Sequence, residues 1–152
     1  MSDPFKVLIR VRYGECDAQQ VVFNARYGDY LDLASTEFFR ALFGSYEALL
    51  ADGYDCQVVR MLTEWSSPAR FDEVLCITVA ASHLGNTSFT LTMAITERDS
   101  ARPIAQAEVV YVLVDPKTYA KTPMPDALRA QLQAGARGWM VDQAGALTGP
   151  QA

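Results

Sequence analysis

One aspartate stands where it could act on a carbonyl group. Asp17 lies in a polar segment, Gly14–Gln20, that follows the first predicted strand, and it precedes Tyr27, where a helical pattern begins, by ten positions. A carboxylate can act as a nucleophile or as a general base. The first N–H groups of a helix have no partner within the helix, so they can stabilise negative charge on an oxygen. Because a loop aspartate often only caps a turn, both a catalytic and a structural role are open.

The single histidine, His83, is a weaker candidate for catalysis. It falls at the end of a predicted strand beside a hairpin, and the sequence has no G-x-S-x-G segment that would supply a serine nucleophile. A solvent-facing turn position or a contact with a phosphate group suits it better. Asp32 and Glu37 on the predicted helix, and Glu15 near Asp17, are expected to be structural or interface acids, although Asp32 could also line a binding pocket.

The composition of this 152-residue chain excludes several classes of protein. A net charge of −5 argues against a nucleic-acid-binding protein, since such proteins gain affinity from clustered Lys and Arg. No apolar run reaches the ~20 residues of a membrane-spanning helix, and the N-terminus lacks a signal-peptide pattern. Three cysteines without metal-ligand spacing predict neither a disulfide scaffold nor a zinc site. The sequence therefore predicts a cytoplasmic protein.

The periodicity of apolar residues predicts the elements that position Asp17. A long apolar helix runs from Tyr27 to Gly44, where glycine ends it, and shorter helices are expected at about residues 45–51 and at 126–134. The predicted strands span residues 5–13, 56–65, 73–84, 87–98 and 104–114. Short connections between the last three strands favour antiparallel hairpins.

This order of elements predicts an α+β fold. An antiparallel sheet of about five strands would wrap around one long central helix. Residues 1–135 are expected to form a single domain. The tail at 136–152 contains Gly and Ala without periodicity, so we expect it to be poorly ordered.

Three motifs occur in an order that is typical of one enzyme family. Residues 12–27 read R-Y-G-E-C-D-A-Q-Q-V-V-F-N-A-R-Y, close to the pattern R-Y-x-E-x-D-x-x-G-V-V-x-x-x-x-Y. Residues 58–73 contain V-V-R-M, then E-W, then S-P-A-R-F-D-E, and Asp115-Pro116 follows the last long strand. Over about residues 6–134 the chain thus resembles the 4-hydroxybenzoyl-CoA thioesterase family of hotdog-fold proteins.

The resemblance implies hydrolysis of the thioester of an acyl-CoA, or of an acyl group on acyl carrier protein, to a free acid and a thiol. It assigns the catalytic carboxylate to Asp17 and the carbonyl-polarising backbone N–H to Asn24. Direct attack by Asp17, which would form a mixed anhydride, and general-base activation of water are both open. Coenzyme A is part of the substrate, so no metal or redox cofactor is implied.

The resemblance also implies a set of substrate-binding residues. They are Phe23, Tyr27, Asp32, Val59, Met61, His83, Asn86 and Thr87. Core packing is the alternative for the aromatic residues and the methionine. Gln20 stands where the family usually has glycine, so a turn built for glycine must here be made by a residue with a Cβ, or the loop differs.

Relatives of this kind join their sheets edge to edge and form active sites across the interface. A homodimer is therefore implied, and a homotetramer, as a dimer of dimers, is common among them. Two other functions are open: a hydratase or dehydratase of the same fold, which would need a positioned histidine and an acid, and a non-catalytic acyl-CoA-binding dimer. Neither a nucleic-acid partner nor a membrane span is expected.

Overall fold

A six-stranded sheet packs against one long helix in the computed structural model, which describes residues 2–147. The elements are β1 (Phe5–Arg10), α1 (Arg26–Phe43), α2 (Tyr46–Ala51), β2 (Asp55–Trp65), β3 (Val74–Leu84), β4 (Ser88–Glu97), β5 (Pro103–Val114), α3 (Asp126–Ala134) and β6 (Met140–Asp142). The strand order is β2-β5-β4-β3-β1-β6. All neighbours are antiparallel except β1 and β6. The predicted α+β architecture is confirmed.

Helix α1 forms because its apolar residues recur every three or four positions. Tyr27, Leu31, Ala34 and Phe38 are all buried on the face that meets the sheet. Gly44 ends the helix in a left-handed conformation, with φ of +86°, which glycine adopts without steric cost. The helix therefore starts next to the Asp17 loop and runs along the inner face of the sheet.

Strand β4 shows how the sheet separates core from solvent. Phe89, Leu91, Met93 and Ile95 alternate along the strand and are all buried. The alternating threonines therefore point to the outer face of the sheet. The alternation seen in the sequence predicted this one-sided burial.

The C-terminal segment differs from the expectation of a poorly ordered tail as far as residue 147. Strand β6 pairs in parallel with β1, and the Gln143 N–H donates to the Leu8 carbonyl at 2.8 Å. The Asp142 carboxylate then accepts the N–H groups of Ala144 and Leu147, each at 2.9 Å. A three-residue strand has no periodicity to detect, and it forms because the edge of β1 is otherwise open. The rest of the expected tail, residues 148–152, lies outside the described residues.

Within residues 2–147, no helix is long and apolar enough to cross a membrane.

Candidate active site

A tight turn presents Asp17 between β1 and α1. The Gln20 N–H donates to the Asp17 carbonyl, and the Asp17 N–H donates to the Val21 carbonyl, both at 2.9 Å. Cys16 and Val22 form an antiparallel bridge across the base of the turn. The Val22 N–H also donates to the Ala69 carbonyl at 2.8 Å, which fastens the loop to the segment before β3. Asp17 therefore sits at the tip of a small, well-braced hairpin.

Gln20 makes this turn in a conformation that favours glycine. Its φ is +65°, in the left-handed region where a Cβ costs about 1–2 kcal/mol. The turn that the family motif builds with glycine is thus made here with a glutamine.

The side chain of Asp17 caps the turn with one oxygen only. Its Oδ1 accepts the Gln19 N–H at 2.8 Å, as loop aspartates often do. Among the described residues, its other oxygen, Oδ2, accepts no hydrogen bond. The cap orients the carboxylate and leaves one oxygen for chemistry.

Asp17 lines a cleft of about 570 Å³ at the start of α1. One wall is aromatic, because the buried ring of Tyr27 meets Trp65 edge to face at a centroid distance of 5.5 Å. Phe23 is half exposed at the rim. The other lining residues are Gln19, Val21, Val22, Asn24, Ser66, Ser67 and Pro68.

Asn24 lines this cleft, and among the described residues its backbone N–H has no protein acceptor. The N–H groups of nearby residues do have protein acceptors: the Phe23 N–H donates to the Glu15 carbonyl at 2.9 Å, and the Arg26 N–H donates to the Phe23 carbonyl at 2.8 Å. The Ala25 N–H donates to Asn24 Oδ1 at 3.1 Å. Within residues 2–147 the Asn24 N–H itself donates no hydrogen bond. A free N–H next to a helix N-terminus is suited to bind a carbonyl oxygen that gains negative charge.

A second cleft, of about 350 Å³, opens on Asp17 as well. It is lined by Tyr13, Cys16, Asp17, Gln20 and Phe71. The rings of Tyr13 and Phe71 meet edge to face with centroids 5.9 Å apart. Asp17 thus borders two clefts, each with aromatic walls.

Two neighbours of Asp17 have displaced pKa values. Burial raises the pKa of the Cys16 thiol, and the carboxylates of Glu15 and Asp17 raise it further, so Cys16 stays protonated near neutral pH and is a poor nucleophile. Burial also raises the pKa of Glu15, but hydrogen bonds from Arg12 and Tyr30 outweigh it and hold that pKa below its ordinary value. Glu15 is therefore ionised at neutral pH.

An ion pair braces the rim of the larger cleft. Arg102 Nη2 contacts both carboxylate oxygens of Glu73 at 2.9 Å and donates to the Pro68 carbonyl at 3.1 Å. Its Nε donates to Ser67 Oγ at 3.3 Å. The Ser66–Pro68 rim is thereby held against the end of the sheet.

Four of the predicted site residues come together, namely Asp17, Phe23, Asn24 and Tyr27. Val59 and Met61 lie on the edge strand β2 with 59% and 42% of their surface exposed, outside both clefts. Asp32 is exposed on α1 and lines neither cleft.

His83, Asn86 and Thr87 lie at the opposite end of the sheet in the same chain. Val74, at the start of β3, pairs with Arg10 close to the Asp17 loop, whereas His83 lies nine positions further along β3. At about 3.3 Å per residue, this places the β3–β4 turn about 30 Å away. One chain does not bring these three residues to Asp17.

Sequence reasoning missed the second aromatic wall and one cation. Phe71 reaches Tyr13 because Val21 and Arg70 form a bridge. This bridge brings the motif at residues 12–27 next to the motif at residues 58–73. Arg129, from α3, donates to the carbonyls of Leu84 and Gly85 at 3.3 and 2.9 Å. The adjacency of the motifs was a usable signal for Phe71, whereas nothing local pointed to Arg129.

Within residues 2–147, no three His, Cys, Asp or Glu side chains are grouped closely enough to hold a metal ion.

Comparison with known proteins gives a consistent set of relatives. A model of the thioesterase-like superfamily matches residues 11–132. Acyl-CoA thioester hydrolase YbgC of Escherichia coli O157:H7 is 31% identical over 129 residues, which are 85% of this chain and 96% of that protein. Long-chain acyl-CoA thioesterase FadM of Escherichia coli K12 is 28% identical over 125 residues, 82% of this chain and 94% of FadM. The crystal structure of YbaW, a probable thioesterase from Escherichia coli, has a TM-score of 0.75 and 27% identity, covering 87% of this chain and 98% of YbaW.

Proposed function

This chain belongs to the thioesterase-like superfamily and has its hotdog fold, and we propose that it hydrolyses acyl-CoA thioesters with Asp17 as the catalytic carboxylate. The Asn24 N–H would polarise the thioester carbonyl. One observation carries the assignment of residues: Asp17, whose carboxylate keeps one oxygen without a hydrogen bond among the described residues, and Asn24, whose N–H is free there, line the same cleft.

The two groups have complementary tasks. The carbonyl oxygen of the thioester accepts the Asn24 N–H, and the N-terminal end of α1 stabilises the charge that develops on this oxygen. Asp17 Oδ2 then attacks the carbonyl carbon and expels the thiolate, after which water hydrolyses the mixed anhydride. Alternatively, Asp17 removes a proton from a water molecule that attacks the same carbon. Both routes yield a free acid and the thiol of coenzyme A.

We extend the proposal to a homodimer joined through β2. Within residues 2–147 this strand pairs with β5 alone and forms one edge of the sheet. It carries a row of exposed apolar side chains: Val58, Val59, Met61, Leu62 and Trp65. Open apolar edges associate with other strands, and a second copy of the same edge is the natural partner for a two-fold pairing.

Such a dimer would complete the site. Ser88 pairs with Val112, and Val112 pairs with Gln57, so the β3–β4 turn lies at the N-terminal end of β2. In an antiparallel two-fold pairing, that end of one subunit meets the Trp65 end of the other. His83, Asn86 and Thr87 of one subunit would then lie on the same side as Asp17 of the other. Arg129 adds a cation at this turn that could contact a phosphate of coenzyme A.

Assembly beyond the dimer and cellular location are further parts of the proposal. Because β6 covers β1 at the other edge, two dimers would have to associate through a face of the sheet or helices to form a homotetramer. All three cysteines are free, which fits a reducing compartment such as the cytoplasm.

The test of the catalytic assignment is the Asp17→Asn variant. Asparagine keeps an oxygen that can accept the Gln19 N–H, so the turn should persist while the negative charge is lost. We expect kcat to fall at least ~10²-fold, the size typical of losing a general base. Free-thiol release from short, medium, long and aromatic acyl-CoAs measures it and also defines the substrate class. Asp29→Asn, a change of the same kind at the start of α1 but outside both clefts, is the matched control and should keep wild-type turnover.

Unchanged turnover in Asp17→Asn would remove Asp17 from the mechanism. Wild-type protein that binds acyl-CoA but releases no thiol, from either acyl-CoA or acyl carrier protein, would favour the non-catalytic binding dimer. A hydratase has less support, because the only histidine lies about 30 Å from Asp17 in the same chain, as the strand rise gives.

A further inference from the structure

We propose that Glu15 is a positioning residue that fixes the Asp17 carboxylate relative to the Asn24 N–H. The inference rests on the proposed function, since it concerns the geometry of that reaction. Glu15 lines neither of the two clefts that border Asp17 and so would not touch the substrate there. It would act through the two segments that carry the catalytic groups.

The Glu15 side chain joins the turn after β1 to helix α1. Only 7% of the residue is exposed. Its Oε1 accepts the Arg12 N–H at 2.8 Å and the Tyr30 hydroxyl at 2.9 Å, and its Oε2 accepts Arg12 Nη2 at 2.8 Å and Nε at 3.2 Å. A buried carboxylate with four donors is held in one position from both sides.

The Glu15 backbone reaches the two catalytic positions. Its carbonyl accepts the Phe23 N–H at 2.9 Å, and Phe23 directly precedes Asn24. Asp17 follows two residues after Glu15, across the bridge between Cys16 and Val22. Glu15 is thus tied through Arg12 to the turn after β1, through Phe23 to the residue before Asn24, and through Tyr30 to helix α1.

This arrangement explains why an anion is buried next to an anionic catalytic residue. The negative charge of Glu15 lies two positions before Asp17 in the chain and would repel the Asp17 carboxylate if it had no partner. Here Arg12 is its ion-pair partner at 2.8 Å and offsets that repulsion. Because a displacement of about 1 Å between reacting groups can cost up to ~10² in rate, loosening this junction should reduce kcat with little effect on substrate binding.

Two variants and one control test the proposal. Tyr30→Phe removes one donor to Glu15 and keeps the buried ring, so it should fold even if Glu15→Gln does not. Tyr46→Phe removes a similar hydroxyl, which donates to the Asp55 carboxylate away from both clefts. All three are compared with wild type for kcat, KM and thermal midpoint in the thiol-release assay.

We expect kcat to fall about tenfold in Tyr30→Phe and about 100-fold in Glu15→Gln, with KM within about twofold of wild type. Tyr46→Phe should lower the thermal midpoint by a similar amount as Tyr30→Phe and leave kcat unchanged. Added to Asp17→Asn, Tyr30→Phe should cost less than about threefold, because the group that it positions is already disabled.

A Tyr30→Phe enzyme with wild-type kcat would overturn the positioning role, as would an equal loss of kcat in Tyr46→Phe. A full tenfold further loss in the Asp17→Asn background would also contradict it, because the effect would then not pass through Asp17. Wild-type protein without activity on any thioester would instead refute the proposed function, and this inference with it.

Discussion

At the residue scale, the turn-capping role of Asp17 is compatible with the catalytic role proposed for it. Its Oδ1 caps the turn by accepting the Gln19 N–H, as a loop aspartate with no catalytic role would. Capping needs an oxygen but no charge, so an asparagine would serve equally well. The carboxylate thus gains its orientation from the turn, and in the proposed mechanism Oδ2 is the oxygen that acts on the thioester.

Gln20 offers a direct test of strain in this turn. Gln20→Gly should raise the free energy of unfolding by up to about 1 kcal/mol, because relief of the left-handed conformation (~1–2 kcal/mol) exceeds the entropy cost of glycine (~0.5–1 kcal/mol). Chemical denaturation measures the change. Ala18→Gly, in the same turn at a position without positive φ, is the control and should destabilise the protein. Equal effects of the two variants would mean that the strain at Gln20 is negligible.

At the element scale, the two edges of the sheet differ in whether another strand covers them. Strand β6 covers the edge of β1, whereas no strand of the described chain pairs with the outer edge of β2, which is apolar. An unpaired strand edge promotes association with other chains. The short C-terminal strand therefore leaves β2 as the long open edge of the described sheet.

Removal of residues 138–152 should expose β1 and lower the free energy of unfolding by about 2–3 kcal/mol. The pairing spans three residues of each strand and is flanked by the bond from Gln143 to Leu8, and each such hydrogen bond contributes about 1 kcal/mol net. Urea denaturation gives the stability, and amide hydrogen exchange at Lys6 and Leu8 reports the local opening. Removal of residues 148–152 alone is the control. Unchanged protection of β1 in the longer deletion would show that β6 does not pair stably.

At the scale of the whole molecule, the residues of the proposed site lie at two ends of one chain. Asp17 and Asn24 lie at one end of the sheet, and His83, Asn86 and Thr87 lie at the other. A two-fold pairing of β2 edges would bring the two ends together, which is the physical reason to expect that the enzyme acts as a dimer.

Met61→Lys should convert the proposed dimer to a monomer and lower kcat/KM at least tenfold. A charged side chain on a strand edge opposes edge pairing, and loss of the partner would remove the contacts proposed for its His83, Asn86 and Thr87. Met140→Lys is the matched control, since both methionines are 42% exposed and lie on opposite edges of the sheet. Light scattering after size-exclusion chromatography measures the mass. A Met61→Lys protein that remains dimeric, or a Met140→Lys protein that dissociates, would exclude pairing through β2.

The sequence by itself determined the local part of this protein. The apolar spacing predicted α1, the alternation predicted β4, and one continuous motif contained Asp17, Phe23, Asn24 and Tyr27, which the structure gathers in one cleft. These features depend on hydrogen bonds and side-chain spacing within about a dozen residues, and such local interactions can be predicted from a short stretch of sequence.

Only the tertiary structure decided which distant segments meet. The contacts of Tyr13 with Phe71, of Arg129 with the β3–β4 turn, and of β6 with β1 join residues far apart in the chain. They depend on the register and order of the strands. Strand order brings whole elements together, and it produces no periodic pattern in the sequence of either element. For the same reason the sequence could assign His83 a place in a turn but could not tell that this turn lies at the far end of the sheet from Asp17.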